Sequence, residues 1–191
     1  MKILGVSGSL RKRSLNTKLL HAARELAPEG LEIEIAAIDE IPVFNEDVQA
    51  QEFPPATHSF RERIAAADAL LFATPEYNYS MSGVLKNAID WASRPPAQPF
   101  AGRKAGIIGA SMGALGTARA QYHLRQVGVF LDIHFMNRPE VMVGAAHEKF
   151  DAGGRLVHAP TREQLRRSWP RLPSLLEVRE AAPGSDPPIR S

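Results

Sequence analysis

The 191-residue chain contains no cysteine. That single absence removes disulfides, thiolate metal sites, iron–sulfur clusters and thiol nucleophiles together. Charge of one sign is also missing: 23 basic residues stand against 21 acidic ones, a net of +2. The basic residues are scattered, and the only triplet, Arg11-Lys12-Arg13, falls short of the run a polyanion patch needs. No nucleic-acid partner is expected. No stretch approaches the roughly 18 consecutive apolar residues of a membrane helix, and the opening apolar run is far shorter than a signal-peptide core. The expectation is a cytoplasmic protein with no membrane partner. The six histidines show no i, i+4 pairing, so no metal site is expected.

Two phosphate-binding fingerprints are absent as well. There is no G-x-x-x-x-G-K-[ST], which disfavours a nucleoside triphosphate cradle, and no G-x-G-x-x-G, which disfavours close approach to a pyrophosphate. What the chain does have is Ile3 to Thr17, ILGVSGSLRKRSLNT. A short apolar run without alternation fits a buried parallel strand. It is followed by a hydroxyl-rich basic loop and then by Leu19, Ala22, Ala23 and Leu26 at helical spacing. Strand, loop and helix N-terminus in that order make an anion site, because first-turn N–H groups have no intrahelical partner. Ser9, Arg11, Ser14, Asn16 and Thr17 form a donor set suited to a terminal monophosphate; a capped helix with a solvated basic turn is the alternative.

Further along, Leu31 to Ile38 alternates as a strand, closed by Asp39 as a turn residue. Ile41 to Pro55 is a proline-bearing connection long enough to do more than link. A helix over Thr57 to Ala67 leads to a buried strand, Ala69 to Ala73. Then comes a second informative loop, Thr74 to Ser82 (TPEYNYSMS), and a helix carrying Leu85, Ala88, Ile89 and Ala92. A fourth strand, Ala105 to Gly109, feeds a third small-residue loop, Ala110 to Gly116, and a helix through Val127. Val129 to Phe135 and Glu140 to Val143 read as a last strand, interrupted near Arg138-Pro139. A final helix starts at Thr161, and Pro170 and Pro173 are expected to kink or end it.

Strands alternating with helices imply a parallel α/β sheet covered on both faces. In such sheets ligands sit outside the carboxyl ends of the strands, and all three unusual loops fall at that edge. The second loop offers Tyr77 and Tyr79 as flat faces and the Pro75-Glu76-Tyr77-Asn78 main chain as donors. The third, with Gly109, Gly113 and Gly116 around Ser111, lets the backbone approach a flat ligand. A planar ring with polar edges and a monophosphate tail fits such a crevice, and FMN is such a molecule.

GSLRKRSLNT, PEYNYSMSGVLKNAIDW and GASMGALGTARAQYHLRQ resemble the NAD(P)H-dependent FMN reductase family, in its quinone and chromate reductase branch. The resemblance covers about residues 2 to 145. It implies a flavodoxin-like three-layer α/β sandwich with a five-stranded parallel sheet of order 2-1-3-4-5. One domain would occupy residues 1–180, with a disordered tail over 181–191. The implied chemistry is ping-pong hydride transfer from NADPH or NADH through bound FMN to quinones, free flavin or similar small acceptors. The implied assembly is a homodimer or homotetramer, to which Trp91 and the outer face of the helix after the third loop are candidates to contribute; Trp91 is as easily explained as core. Ser9, Arg11, Ser14, Asn16 and Thr17 would hold the phosphate. Pro75, Glu76, Tyr77 and Asn78 would line the ring, with Ser111, Gly113 and Gly116 at its edge. No indispensable catalytic side chain is implied.

Two rivals remain at this stage. A non-enzymatic FMN electron carrier would bind the flavin without a nicotinamide site. A serine hydrolase is suggested by Gly109-Ala110-Ser111-Met112-Gly113, which matches G-x-S-x-G, with Asp132 or Asp151 and His134, His147 or His158 as possible partners. Only three strands precede that supposed nucleophile, and no HGGG-type loop is present.

Overall fold

A computed structural model describes residues 1–169. Strands β1 (Lys2–Ser7), β2 (Glu32–Ala36), β3 (Ala69–Ala73) and β6 (Lys104–Ala110) pair in parallel in the order β2-β1-β3-β6. The fifth position is filled by two short pieces, β7 (His134–Phe135) and β8 (Val141–Val143), both parallel to β6. The expected order 2-1-3-4-5 therefore holds, and the break falls at Arg138-Pro139, where proline has no N–H for a ladder. An unanticipated hairpin, β4 (Glu76–Tyr77) and β5 (Ser80–Met81), stands outside this sheet.

Alternate residues of the central strands feed two cores. Leu4, Val6, Leu70, Phe72 and Ile107 meet α3 (Pro55–Ala66), α4 (Gly83–Ala92) and α5 (Ala118–Phe130) through Phe60, Ile64, Leu85, Ile89 and Leu124. Ile3, Leu71 and Ile108 meet α1 (Leu15–Glu25) and α6 (Ala159–Ser168) through Leu19, Leu20, Ala23 and Leu165. Both faces of the sheet are covered, which is why its strands read as continuous apolar runs.

Two expectations need correction. Trp91 is fully buried and its Nε1 donates to Pro42 O at 2.9 Å, so it is core and takes no part in a subunit interface. Phe44 meets its ring edge-on at 4.9 Å, so the 41–55 connection, with its single turn α2 (Glu46–Gln49), seals α4. The helix after the third loop also runs on to Phe130, over residues expected to begin a strand. Leu131 N still donates to Val127 O, and only the left-handed Asp132 (φ 54°) turns the chain toward β7. The expectations for Pro170, Pro173 and the 181–191 tail lie outside the described residues. Among the described residues no helix is long and apolar enough to cross a membrane.

Candidate functional site

The three loops do converge at the carboxyl edge, and hydrogen bonds lock them together. Gly8 N donates to Ala73 O at 2.9 Å and Thr74 N to Ile108 O at 3.0 Å, so each strand's exit is pinned to its neighbour. Ser82 caps α4 by accepting from Leu85 N, and its hydroxyl donates to Gly8 O at 2.6 Å. The second loop is thus tied to the first.

In the first loop, Ser14 caps α1 by accepting from Thr17 N at 3.2 Å. Thr17 Oγ1 shares a 2.7 Å hydrogen bond with Ser7 Oγ. Asn16 is buried, and its amide serves Ala110 in both directions: Nδ2 donates to Ala110 O, and Oδ1 accepts from Ala110 N, each at 2.9 Å. The Asn16 amide thus joins two loops, while its main-chain N–H stays open beside the basic turn. Ser14 accepts in its capping bond, so its own O–H proton stays free to donate, and the Ser7–Thr17 pair likewise leaves one O–H free. Ser9 accepts weakly from Arg11 N at 3.4 Å, and Arg11, Lys12 and Arg13 are exposed, with no carboxylate in salt-bridge range among the described residues. The N–H groups of Lys12, Arg13, Leu15 and Asn16 have no partner among those residues. Four open N–H donors, a helix N-terminus and exposed cations suit a dianionic phosphate.

The second loop is the β4–β5 hairpin, closed by the two-residue turn Asn78-Tyr79, with both residues left-handed (φ 49° and 66°). That is the type I′ pattern, which suits strand twist and is normally filled by Asn-Gly. Pro75 is buried at its base and Tyr77 is half-exposed. Glu76, expected to line a ring, borders the hollow beside Ser111, and its carboxylate is also engaged by the start of α5. It accepts from Arg119 N at 3.0 Å and Ala120 N at 3.2 Å, and from the Arg119 guanidinium at 2.5 Å. It caps α5, whose own N-cap, Thr117, makes no side-chain cap bond.

The third loop holds close to the backbone behind it. Gly109 has no room for a side chain: a Cβ there would lie 1.6 Å from Thr117 Oγ1. Gly116 is left-handed (φ 63°), with its missing Cβ 2.8 Å from Met142 C. Gly113 has room for a side chain, with only Ser111 Oγ near a Cβ, at 3.6 Å, and its N–H donates to that oxygen at 3.1 Å. No histidine hydrogen-bonds Ser111 among the described residues. Asp132 and His134 pair with each other at the opposite end of β6, Asp151 pairs with Arg155, and His158 with Thr161. His147 sits beside Glu148. No triad is assembled around Ser111, so nothing activates its hydroxyl.

Two hollows flank the hairpin. One, of about 420 Å³, lies between Asn78, Ser111, Gly113 and Gly116 and is mostly polar; the other, of about 490 Å³, lies between Leu10, Arg11, Tyr77 and Val84 and is mostly apolar. A wider depression beside Arg138 and Arg167 lies along the outer strand, away from the three loops. Among the described residues no three His, Cys, Asp or Glu side chains are grouped to hold a metal.

The sequence pattern of the NADPH-dependent FMN reductases matches residues 1–148, which include all three loops. The chain belongs to that family. An NAD(P)H-dependent FMN reductase of Pseudomonas aeruginosa is 63% identical over 165 residues, covering 86% of this chain and 89% of the relative. The NADPH:quinone oxidoreductase of Arabidopsis thaliana is 48% identical over 172 residues, 87% of each chain. Among solved structures, FerB, the flavoenzyme NAD(P)H:(acceptor) oxidoreductase of Paracoccus denitrificans, superposes with a TM-score of 0.84 at 35% identity, covering 93% of this chain and 97% of its own. The resemblance drawn from three short motifs therefore extends over most of the molecule, and the flavodoxin-like fold is that of its flavoenzyme relatives.

Sequence reasoning missed Arg119, whose guanidinium lies 3.7 Å from the centroid of the Tyr79 ring. It also missed Ser82. The signal for Ser82 was present, since a serine before a helical run is a cap; nothing in the sequence pointed to Arg119.

Proposed function

We propose that this chain is an FMN-dependent NAD(P)H oxidoreductase that passes electrons, in ping-pong order, to quinones, free flavin or similar small acceptors. The observation that carries the reading is the joint presence, at one sheet edge, of an open N–H and arginine cluster, an apolar hollow beside Arg11 and a polar one beside Ser111, the two hollows flanking the same hairpin. When bound, FMN supplies the chemistry: it accepts hydride from the nicotinamide and gives electrons to the acceptor. The protein's residues bind and orient it. Ser9, Arg11 and the main-chain N–H groups near Ser14, Asn16 and Thr17 would hold the phosphate. The main chain of Pro75, Glu76, Tyr77 and Asn78, with Ser111, Gly113 and Gly116, would line the ring. N–H dipoles fixed in the folded protein favour added negative charge on the ring without reorganising, which is the protein's electrostatic contribution. No side chain is needed as nucleophile or base in this reading.

A nicotinamide-dependent reaction draws on the cell's NAD(P)H pool, which supports a cytoplasmic location. Homo-oligomer formation, as dimer or tetramer, is supported by the outer end of α5, where Val129 and Phe130 are 82% and 85% exposed. Apolar side chains so exposed at the end of a helix are what a subunit contact would cover.

The test is the absorbance spectrum of purified protein reconstituted with FMN, followed under anaerobic conditions while NADPH is added. Flavin bands that bleach with NADPH and return with a quinone support the reading. Bound flavin that neither NADPH nor NADH bleaches would favour a non-enzymatic carrier.

A further inference from the structure

Tyr79 holds a left-handed conformation (φ 66°) that a bulky residue rarely adopts and that glycine would adopt freely. It sits at the tip of the hairpin whose main chain faces the candidate ring cleft. Something must hold it there. The Arg119 guanidinium lies over its ring, 3.7 Å from the centroid, while the same guanidinium is gripped by the largely buried Glu76 carboxylate. Glu76 is fixed in turn by two N–H groups at the start of α5. One turn along that helix, His123 Nδ1 meets Ser80 Oγ at 3.0 Å, so both strands of the hairpin are tied to α5.

We infer that Arg119 is a positioning residue for the flavin cleft: stacked on Tyr79, it holds the Asn78-Tyr79 turn in the left-handed form that aims the hairpin main chain at the ring. The inference rests on FMN occupying that cleft. A planar guanidinium can stack on the ring and bind Glu76 at once; a lysine ammonium can keep the charge but not the flat stack. Stacking here also explains why a tyrosine stands where a type I′ turn ordinarily carries glycine.

The experiment titrates FMN into the apo-protein, read by quenching of flavin fluorescence, in wild type, Arg119→Lys, Tyr79→Gly and the double variant. Arg119→Lys is chosen over alanine because it leaves Glu76 a charged partner and so preserves the fold. FMN affinity should fall about tenfold in Arg119→Lys, the size of one stacking contact, with the melting temperature of the apo-protein unchanged. Tyr79→Gly in the Arg119→Lys background should recover most of that affinity, since glycine needs no stack to stay left-handed. Wild-type affinity in Arg119→Lys overturns the inference. So does a loss that Tyr79→Gly fails to restore. Failure of the wild-type protein to bind FMN would instead overturn the flavin reading itself, a separate result.

Discussion

The amide of Asn16 and the main chain of Ala110 exchange two 2.9 Å hydrogen bonds across 94 residues of sequence, joining the phosphate-type loop to the exit of β6. The groups they satisfy on Ala110 are buried. Asn16→Ala leaves an N–H and a C=O unpaired, each at roughly 1–3 kcal/mol. The expected loss is about 3 kcal/mol, or roughly 6–12 °C in melting temperature for a domain of this size. FMN affinity should fall with it because the loops lose their register. Thermal melting of the apo-protein checks the first outcome, and an unchanged melting point would show the two bonds contribute nothing net.

Arg11 should behave in the opposite way. It is exposed and has no acidic partner among the described residues, so Arg11→Ala is expected to leave stability within about 0.5 kcal/mol. Loss of one charge-assisted bond to a phosphate is worth about 1.5–3 kcal/mol, which is a rise of about 10- to 100-fold in the Kd for FMN. Turnover at saturating flavin should be near that of wild type. Equal FMN affinity in the variant would remove Arg11 from the phosphate site.

Gly109 and Gly113 lie four residues apart, and the structure separates them. A Cβ at Gly109 would collide with Thr117 and come within 2.9 Å of Thr74 O, whereas at Gly113 the nearest atom is Ser111 Oγ at 3.6 Å. Gly109→Ala should cost about 1–3 kcal/mol or more, as overpacking does. Gly113→Ala should fold like wild type and report only on the cleft. Denaturant midpoints of the two variants make the comparison.

His21 provides a pH dependence away from the site. Although the residue is exposed, partial loss of solvent around the ring, and secondarily the Arg24 guanidinium, hold its imidazole below the ordinary histidine range. Arg24 Nη2 lies 3.1 Å from Nδ1, a contact that favours the neutral ring as acceptor. Because the folded pKa is depressed, the unfolded chain binds the proton first as pH falls. The contribution to stability is therefore complete above about pH 6.5 and declines as pH drops through the folded value. His21→Gln should flatten the stability profile in that window. A wild-type and variant pair with the same slope would show that His21 titrates alike in both states.

Much of this was legible in the chain itself. Continuous apolar runs marked a two-sided parallel sheet, since such strands have no solvent face to encode. Loops of hydroxyl, glycine and basic residues after the first, third and fourth strands marked the ligand edge, because strand direction alone puts those loops together. Which side chains of those loops remain free for a ligand was decided only on folding. Asn16, read as a phosphate donor, also ties two loops together; Glu76, read as a ring contact, also caps a helix that begins 42 residues later. Trp91 looked equally suited to interface and core until the 41–55 segment closed over it. Local sequence determines backbone periodicity and the kinds of polar group on offer. How each group is spent depends on partners far along the chain, and only the packed structure brings them within reach.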